Sequence, residues 1–449
     1  MKSSLILNIS TSFFFFLTFL YFFTSNATPS IPKEALPTKT GYLPINSTSK
    51  SAIFYTYYEA QKPIYPLPQT PILIWLQGGP GCSSMFGNFY ELGPWRVTSS
   101  YDKDHIPILK PNPGSWNNLF GLLFIDNPIG TGFSIASTTQ EIPKDQETVG
   151  KHLFIAIRKF VTLNPSFNSR PIYITGESYA GKFVPAIGYY ILHQNSKLRL
   201  SQQVNLKGVA IGNGMTDPIT QVATHAVIAY YIGLINEKQR LQLEEFQSAA
   251  VKFVQEGKWS NATDARRKVL STLRKMTGLA TLDDYRRKKP YRSVLVDEFL
   301  ANKEVKKALG FPISINWKRC NNTVADVLHE DVMKSVKFMV EELLKKTKVL
   351  LYQGQFDLRD GVATTEAWIK TLKWEGLEKF LNAERIVWTI KGMVAGYVQR
   401  WGSLSEVMVS DAGHYVPADQ AVSSQAMIQD WVLERGLYVN QGRGHVPKL

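Results

Sequence analysis

A serine flanked by small residues carries the clearest chemical signal in this sequence. The segment Gly176-Glu-Ser-Tyr-Ala-Gly181 follows the apolar run Pro171-Ile-Tyr-Ile-Thr175 and precedes a helix-like stretch. It nearly matches the pattern G-x-S-x-G, with Ala180 in place of the last glycine. Small residues permit a sharp turn from strand to helix that projects the serine hydroxyl at the sheet edge. The helix N-terminus then lies where an oxyanion would develop, so Ser178 is the predicted nucleophile.

An activated serine needs a base, and the sequence contains seven histidines. His414 lies in the glycine-containing segment Asp411-Ala-Gly-His-Tyr-Val-Pro417, directly after the strand-like run 404–410. A loop after a late strand is where an α/β-hydrolase keeps its base, so His414 is the predicted general base. The other histidines lie in ordinary loop, helical or terminal contexts: His105, His152, His193, His225, His329 and His445.

A carboxylate that orients this base should lie between the serine and the histidine, after a strand. Asp357 follows the run Leu350-Leu-Tyr-Gln-Gly-Gln-Phe356 and fits, while Asp360 is a competitor three residues later. The order Ser178, Asp357, His414 matches that of α/β-hydrolases and neither of the two other well-known protease orders.

Buried strands must position these residues. Short, fully apolar runs are typical of parallel strands that helices cover on both faces, and helical patterns near 144–163, 179–197 and 360–378 separate several of them. This alternation predicts an α/β protein, with the α/β-hydrolase fold and a mixed, mostly parallel central sheet. Ligands of such sheets gather at the carboxyl ends of the strands. The predicted strands lie at 71–76, 121–126, 171–175, 207–212 and 348–352.

The pattern changes between about 215 and 325, where the sequence is charged and helix-like. Strand-like sequence resumes at Lys348, so we expect residues 28–449 to form a single domain with a helical insertion that covers the active site. A group of basic side chains in this insertion is interpreted as a solvated helical face. It comprises Arg266, Arg267, Lys268, Arg274, Lys275 and the run Arg286-Arg-Lys-Lys289.

The N-terminus predicts entry into the secretory pathway. A basic start, the uncharged run Leu5–Phe23 and small residues before Ala27 are typical of a signal peptide, residues 1–27; an uncleaved membrane anchor is the alternative. We expect the mature protein to leave the membrane and to be secreted or vacuolar. In that lumen the sequons at Asn46, Asn261 and Asn321 become candidate glycosylation sites, whereas the sequon at Asn26 lies at the cleavage point.

The composition excludes a disordered or fibrous protein. Hydrophobic residues make up 44% and charged residues 20% of the chain, which is typical of a globular protein. The net charge of +14 is spread along the chain, and no nucleic-acid motif accompanies it. No complete G-x-x-x-x-G-K-[ST], G-x-G-x-x-G or H-E-x-x-H motif occurs, so we predict no cofactor, no metal and no nucleic-acid partner. The two cysteines, Cys82 and Cys320, either pair in an oxidising lumen or stay as free thiols.

Four segments together resemble the signatures of serine carboxypeptidases, and most closely those of the plant serine carboxypeptidase-like group. The likeness runs from about residue 40 to 435. The segments are Trp75-Leu-Gln-Gly-Gly-Pro-Gly-Cys-Ser-Ser84, Asp126-Asn-Pro-Ile-Gly-Thr-Gly-Phe133, the serine segment Gly176–Gly181 and Gly413-His-Tyr-Val-Pro417.

The resemblance implies a role for each matching position. Asp357 rather than Asp360 would be the triad aspartate, because it ends a segment similar to the family's Gly-Asp-x-Asp. Backbone amides of Gly79 and Tyr179 would form the oxyanion hole, and Cys82 would pair with Cys320. The C-terminal carboxylate of a peptide or protein substrate would be held by Gln77, Gly78, Glu91 and Glu177.

Two glutamates beside an incoming carboxylate can bind it when they hold a proton. Burial and mutual repulsion would raise their pKa values, so we expect peptide hydrolysis to be best at acidic pH. Plain structural carboxylates are the alternative for Glu91 and Glu177. Gln77 and Gln355 depart from the family pattern, which has Asn and an acid at these positions.

Serine carboxypeptidase activity is the function that the sequence favours. An acyltransferase that passes the same acyl group to an alcohol is the second hypothesis; Glu177 argues against it, since acyltransferase relatives tend to carry Asp there. A non-catalytic binding or protective protein is the third, and the complete triad argues against it. The sequence leaves open residue preference, nicking of the insertion and the formation of a homodimer.

Overall fold

The computed structural model describes residues 31–99 and 106–439. The predicted signal peptide with the Asn26 sequon, His105 and His445 lie outside this part of the chain. Among the described residues, no helix has the length and apolar character needed to cross a bilayer.

Twelve strands occur in the described residues. They are β1 (Lys39–Pro44), β2 (Ala52–Tyr58), β3 (Ile72–Leu76), β4 (Trp95–Ser99), β5 (Pro107–Pro111), β6 (Gly121–Ile125), β7 (Ile172–Glu177), β8 (Leu206–Gly212), β9 (Lys348–Gly354), β10 (Arg385–Ile390), β11 (Met393–Trp401) and β12 (Leu404–Val409).

Ten of these strands form one sheet in the order β1-β2-β6-β3-β7-β8-β9-β12-β11-β10. The strands from β6 to β12 pair in parallel, and two antiparallel strands flank them at each edge. β4 and β5 form a separate antiparallel pair. The sheet is therefore the mixed, mostly parallel sheet of an α/β-hydrolase, which confirms the predicted fold class.

Helices cover both faces of the sheet and make up the chain segment that connects β8 to β9. They are α1 (Ser84–Phe86), α2 (Gln146–Thr162), α3 (Ala180–Asn195), α4 (Pro218–Val222), α5 (His225–Tyr231), α6 (Glu237–Gln255), α7 (Trp259–Thr277), α8 (Val294–Ala301), α9 (Lys303–Ala308), α10 (Asn322–Val327), α11 (Lys337–Leu344), α12 (Val362–Ile369), α13 (Leu377–Leu381), α14 (Val416–Asp419) and α15 (Ala421–Leu433). No residue of the stretch 215–325 belongs to a strand of either sheet, and α6 packs along α7.

The inner strands are apolar throughout because both faces are buried. Along β3, Ile72, Ile74 and Leu76 face one hydrophobic core together with α2 and α3. Leu73 and Trp75 face a second core on the opposite side, together with α15 and α8. Alternate side chains of one strand thus hold two layers of helices, as the period of two along a strand requires.

One predicted helix is wrong in length. The pattern predicted a helix near 360–378, but α12 ends at Ile369 and α13 begins at Leu377. The amide of Lys373 donates to the Glu341 carboxylate at 2.7 Å instead of to a helical carbonyl. A tertiary contact therefore overrides the local preference for helix in this stretch.

Candidate active site

Ser178 stands in a strained turn between β7 and α3. Its φ is 60°, in the left-handed region that non-glycine residues seldom adopt. Its carbonyl accepts hydrogen bonds from the amides of Gly181 and Met215, both at 2.9 Å. A Cβ on Gly176 would lie 2.5 Å from the Leu76 carbonyl, so the strand can enter this turn only with glycine there. The turn has the geometry of the nucleophile elbow that the motif predicts.

His414 and Asp357 meet at the carboxyl ends of neighbouring strands. Nδ1 of His414 lies 2.7 Å from Oδ2 of Asp357. The same oxygen accepts from the Asn213 amide group at 2.8 Å, and the other oxygen accepts from the Arg359 backbone amide at 2.7 Å. Asp357 and His414 follow β9 and β12, which pair in parallel, and Asn213 follows β8 on the other side of β9. The predicted triad residues therefore lie at one edge of the sheet.

Asp360 occupies a different environment from Asp357. Its carboxylate lies 3.4 Å from Nη2 of Arg266 and 3.5 Å from Nε of Arg359. Of the two aspartates that the sequence offered, the structure places only Asp357 against the histidine ring.

Burial and the ion pair act on the pKa of His414 in opposite directions. Burial disfavours the imidazolium and lowers the pKa, whereas the charge of Asp357 and its hydrogen bond raise it, and the upward effect is the larger. Burial raises the pKa of Asp357 above its usual range, although the histidine opposes this change. Asp357 thus favours the protonated form of the His414 imidazole.

The loop after β3 places backbone amides next to the serine. A Cβ on Gly78 would lie 2.5 Å from the Tyr179 nitrogen and 2.8 Å from the Ser178 Cβ, so this loop rests directly on the elbow. Within the described residues, the amides of Gly79 and Tyr179 donate to no protein acceptor. Two unengaged amides beside a strained serine are the donors that an oxyanion needs.

Three polar side chains form a buried group at this point. Gln77 donates from Nε2 to Oε1 of Glu177 at 2.7 Å and to Oε1 of Glu91 at 3.3 Å. The Trp75 indole donates to Oε1 of Gln77 at 2.9 Å, which fixes the orientation of the amide. Both carboxyl groups are fully buried, and Oε2 of each has no donor among the described residues. The side chain of Gln77, which is longer than the asparagine of the family pattern, contacts Trp75, Glu91 and Glu177 together.

Burial favours the protonated form of both carboxyl groups. Burial raises the pKa of Glu91 to about 7. Burial, followed by the nearby charge of Glu91, raises the pKa of Glu177 well above its ordinary value. Because the two groups also share a hydrogen bond, one proton between them satisfies the Oε2 atoms that otherwise lack a donor. Below about pH 7 Glu91 takes up a second proton, and the pair is mostly uncharged.

Two cavities meet at Ser178. The smaller, of about 360 Å³, contains Gln77, Gly78, Glu177 and His414. The larger, of about 760 Å³, contains Tyr179, Met215 and side chains of α7. Gly79 contributes to both. The site therefore has a carboxyl-lined side and a side built by the helical stretch between β8 and β9.

The interpretation of the basic cluster as a solvated face is wrong for Arg266. Only 7% of the Arg266 side chain is exposed, because it packs into the molecule against Asp360. Arg267, Arg274 and Lys275 are exposed, as expected, and they also line the larger cavity. Burial of charge on one face of α7 could not be read from composition.

The structure shows how the two cysteines pair and how exposed the asparagines of the three described sequons are. Cys82 and Cys320 form a disulfide that joins residues 238 apart. It ties the loop after β3 to the end of the helical stretch. The Asn46 side chain is exposed, and Asn261 is exposed within α7. Asn321 is partly buried and donates from Nδ2 to the Gly130 carbonyl at 2.7 Å.

Sequence reasoning missed two residues, Asn213 and Arg359, that donate hydrogen bonds to the Asp357 carboxylate. Asn213 also has a positive φ of 42°, and the Gly-Asn-Gly sequence directly after the buried run 207–212 is the signal that could have found it. Arg359 lines both cavities, and nothing in the sequence separates it from an ordinary surface arginine.

Comparisons with known proteins agree with this geometry. A family model described as serine carboxypeptidase matches residues 29–434. Serine carboxypeptidase-like 50 of Arabidopsis thaliana is 57% identical over 411 residues, which cover 91% of this chain and 90% of the relative. Probable serine carboxypeptidase CPVL of Dictyostelium discoideum is 35% identical over 403 residues, covering 88% and 78%. The crystal structure of Kex1(delta)p, a prohormone-processing carboxypeptidase from Saccharomyces cerevisiae, has a TM-score of 0.79 at 27% identity and covers 90% of this chain and 92% of that one.

Proposed function

The chain belongs to the serine carboxypeptidase family, and on that basis we propose that it releases the C-terminal residue of peptides through an acyl-enzyme on Ser178. His414 takes the serine proton as general base and later gives it to the leaving amine. Asp357 holds Nδ1, which leaves Nε2 for the serine hydroxyl. The amides of Gly79 and Tyr179 stabilise the tetrahedral oxyanion. Water then hydrolyses the acyl-enzyme and frees the shortened peptide.

The group of Gln77, Glu91 and Glu177 is the observation that carries this proposal. An endopeptidase has no use for buried, protonated carboxyl groups beside its nucleophile. A carboxypeptidase needs donors there, because the substrate ends in a carboxylate that has lost much of its water. The second proton that the pair takes up below about pH 7 supplies such a donor without adding a positive charge, and the Gln77 amide holds the two carboxyl groups in place.

The protonation of this pair gives the substrate-binding step its pH dependence. Below about pH 7 the uncharged pair accepts a carboxylate, and as pH rises past the pKa of Glu91, about 7, a negative charge appears that repels it. His414 acts in the opposite sense, since it must be unprotonated before it can take the proton of the serine. The acid preference that we propose therefore resides in KM, while kcat rises with pH.

Aromatic side chains surround the position of the leaving residue. Phe86, Tyr291 and Tyr415 all line the smaller cavity. The rings of Tyr291 and Tyr415 have centroids 4.9 Å apart, and those of Phe86 and Tyr415 are 5.5 Å apart. Apolar and aromatic leaving residues should bury most surface against them, and we propose that they are preferred.

Release of C-terminal residues from blocked dipeptides, with wild type beside Ser178→Ala, tests the proposed function. We expect release by the wild type alone, and labelling of the wild type alone by a fluorophosphonate. Failure of both in the wild type would contradict any serine-enzyme function. Labelling without release would favour transfer of an acyl group to an alcohol over peptide hydrolysis.

The same proposal includes passage through the secretory pathway to the exterior or the vacuole. The predicted signal peptide, the exposed Asn46 sequon and the disulfide support it. A shift in mobility of the expressed protein after removal of N-linked glycans is expected. An unmodified protein that keeps residues 1–27 would contradict this part of the proposal.

A further inference from the structure

The larger cavity lies on the side of the nucleophile that the leaving residue does not use. Gln77, Glu177 and His414 line only the smaller cavity, whereas Ser178 and Gly79 line both. A peptide with its terminal carboxylate at Gln77 and its scissile carbonyl at Ser178 must continue into the larger cavity. The residues that precede the leaving residue therefore contact α7.

This cavity carries an excess of positive charge. Five basic residues line it against two acidic ones, Asp283 and Asp360. Both acids are already engaged, because Asp360 lies 3.4 Å from Arg266 and Asp283 lies 3.8 Å from Arg359. The surplus positive charge belongs to the three other basic residues, Arg267, Arg274 and Lys275.

Two of these three cations have no anionic partner within the described residues. Arg274 donates to the Ala280 carbonyl at 3.1 Å and, like Lys275, makes no ion pair there. Arg267 lies 3.6 Å from Asp264, and both of these side chains are more than half exposed. Exposed ion pairs of this kind exchange readily for another anion.

The spacing along α7 places these groups around an open space. Arg267, Ser271 and Arg274 recur at intervals of four and three residues, so they share one helix face. Ser271 is small, and Gly278 follows at the end of the same face. Charged side chains thus border the cavity of about 760 Å³, whereas Lys268 points elsewhere, 4.2 Å from the centroid of the Phe246 ring.

We infer that the enzyme prefers substrates with an acidic side chain in one of the two residues that precede the leaving residue. The inference rests on the proposed function and names its substrate class. A carboxylate in this position would pair with Arg274 and Lys275, while a lysine there would be repelled. Each such pair is exposed and therefore modest in strength, and two together should change kcat/KM about three- to thirtyfold.

Peptide series that differ only in one side chain test the inference. Blocked tripeptides ending in leucine would carry Glu, Gln or Lys at the penultimate position, or at the position before it. We expect the highest kcat/KM for Glu and the lowest for Lys at one position at least, and a smaller difference in high salt. Equal values for the three side chains at both positions would overturn the inference.

Charge reversal on the helix sharpens the test. The double variant Arg274→Glu with Lys275→Glu should invert the order, so that the Lys peptide is cleaved faster than the Glu peptide. Lys268→Glu changes the charge of the same helix away from the cavity, and it should keep the wild-type order. An unchanged order in the double variant would contradict the assignment of these two residues.

Binding to the Ser178→Ala variant separates this inference from the proposed function. Fluorescence anisotropy with labelled Glu and Lys peptides measures affinity without turnover. Tighter binding of the Glu peptide would support the charge preference even if the wild type released no residue. Release of leucine from every peptide by the wild type, with equal affinities for the Glu and Lys peptides, would support the carboxypeptidase activity and contradict the charge preference.

Discussion

The two sides of the nucleophile are built by opposite means. On the side proposed for the leaving residue, Gln77, Glu91 and Glu177 are buried and bonded to one another. They are carried by the loop after β3, the helical segment Gly87–Leu92 and the end of β7. On the other side, Arg274 and Lys275 are exposed cations on a helix between β8 and β9. The first arrangement sets the protonation states of the two glutamates. The second presents positive charge to any ligand that enters the larger cavity.

This difference between a buried and an exposed side matches what each side is proposed to recognise. A terminal carboxylate is common to all peptide substrates, so a buried group with shifted pKa values can be dedicated to it. Side chains upstream vary, and exposed cations select among them at low cost in stability, since no charge is removed from water. Changes on the buried side should therefore have larger effects than changes on the exposed side.

The largest effect is expected at the triad carboxylate. Asp357→Asn removes the charge that orients His414 and should lower kcat by about four orders of magnitude. Asp360→Asn should chiefly lower thermal stability, because it leaves the buried Arg266 without its partner. Steady-state kinetics and thermal melts of both variants make the comparison. A greater loss of kcat in Asp360→Asn would contradict the assignment.

Glu177→Gln should have the next largest effect. The variant keeps a donor but cannot share a proton with Glu91, so KM for a peptide with a free carboxylate should rise roughly ten- to hundredfold at pH 5. The increase of KM between pH 6 and pH 8 should also become shallower. Peptides blocked as C-terminal amides serve as the control, since they carry no charge for the pair to repel. An unchanged KM at pH 5 would show that the pair is only structural.

Gln77→Asn tests the reach of the side chain. Asparagine is one methylene shorter and cannot contact Trp75, Glu91 and Glu177 together, so KM for free acids should rise about three- to tenfold with kcat little changed. Kinetics on one dipeptide substrate measure both values. A lower KM in the variant would mean that the glutamine makes carboxylate binding weaker instead of stronger.

The smallest effect on turnover is expected from the disulfide. Cys82→Ser with Cys320→Ser should lower the free energy of unfolding by about 2–4 kcal/mol, because the bridge closes a long loop. The change in kcat/KM should be smaller than that of Gln77→Asn, since neither sulfur takes part in the chemistry. Denaturant titration and kinetics on the same preparation compare the two quantities. Unaltered stability would contradict the role given to the bridge.

The sequence predicted the buried side of the site better than the exposed side. The elbow around Ser178 and the loop of His414 are short segments whose glycines and neighbouring strands are visible in the sequence. Such local patterns predict local geometry. The same holds for the inner strands, which are apolar along their whole length because both faces are buried.

Long-range contacts could not be predicted in the same way. Whether Arg266 is solvated or buried depends on Asp360, which lies 94 residues away in the chain. The break between α12 and α13 contains the contact of the Lys373 amide with Glu341, 32 residues away in the chain, and the charge of the larger cavity depends on how α7 packs. The outer strands β1, β2, β10 and β11 were missed, although the apolar and aromatic run of β2, Ala52–Tyr58, is a signal that could have found one of them.

Carboxylate recognition by a protonated pair is tested most directly by one ratio. kcat/KM for a blocked dipeptide with a free C-terminus is divided by kcat/KM for the same dipeptide as its amide, from pH 5 to pH 9. His414 affects both substrates equally and cancels, so the ratio reports the pair of Glu91 and Glu177. We expect the ratio to be high at pH 5 and to fall as pH rises through about 7, the pKa of Glu91. A ratio that stays constant, or that rises with pH, would contradict recognition of the substrate carboxylate by these two glutamates.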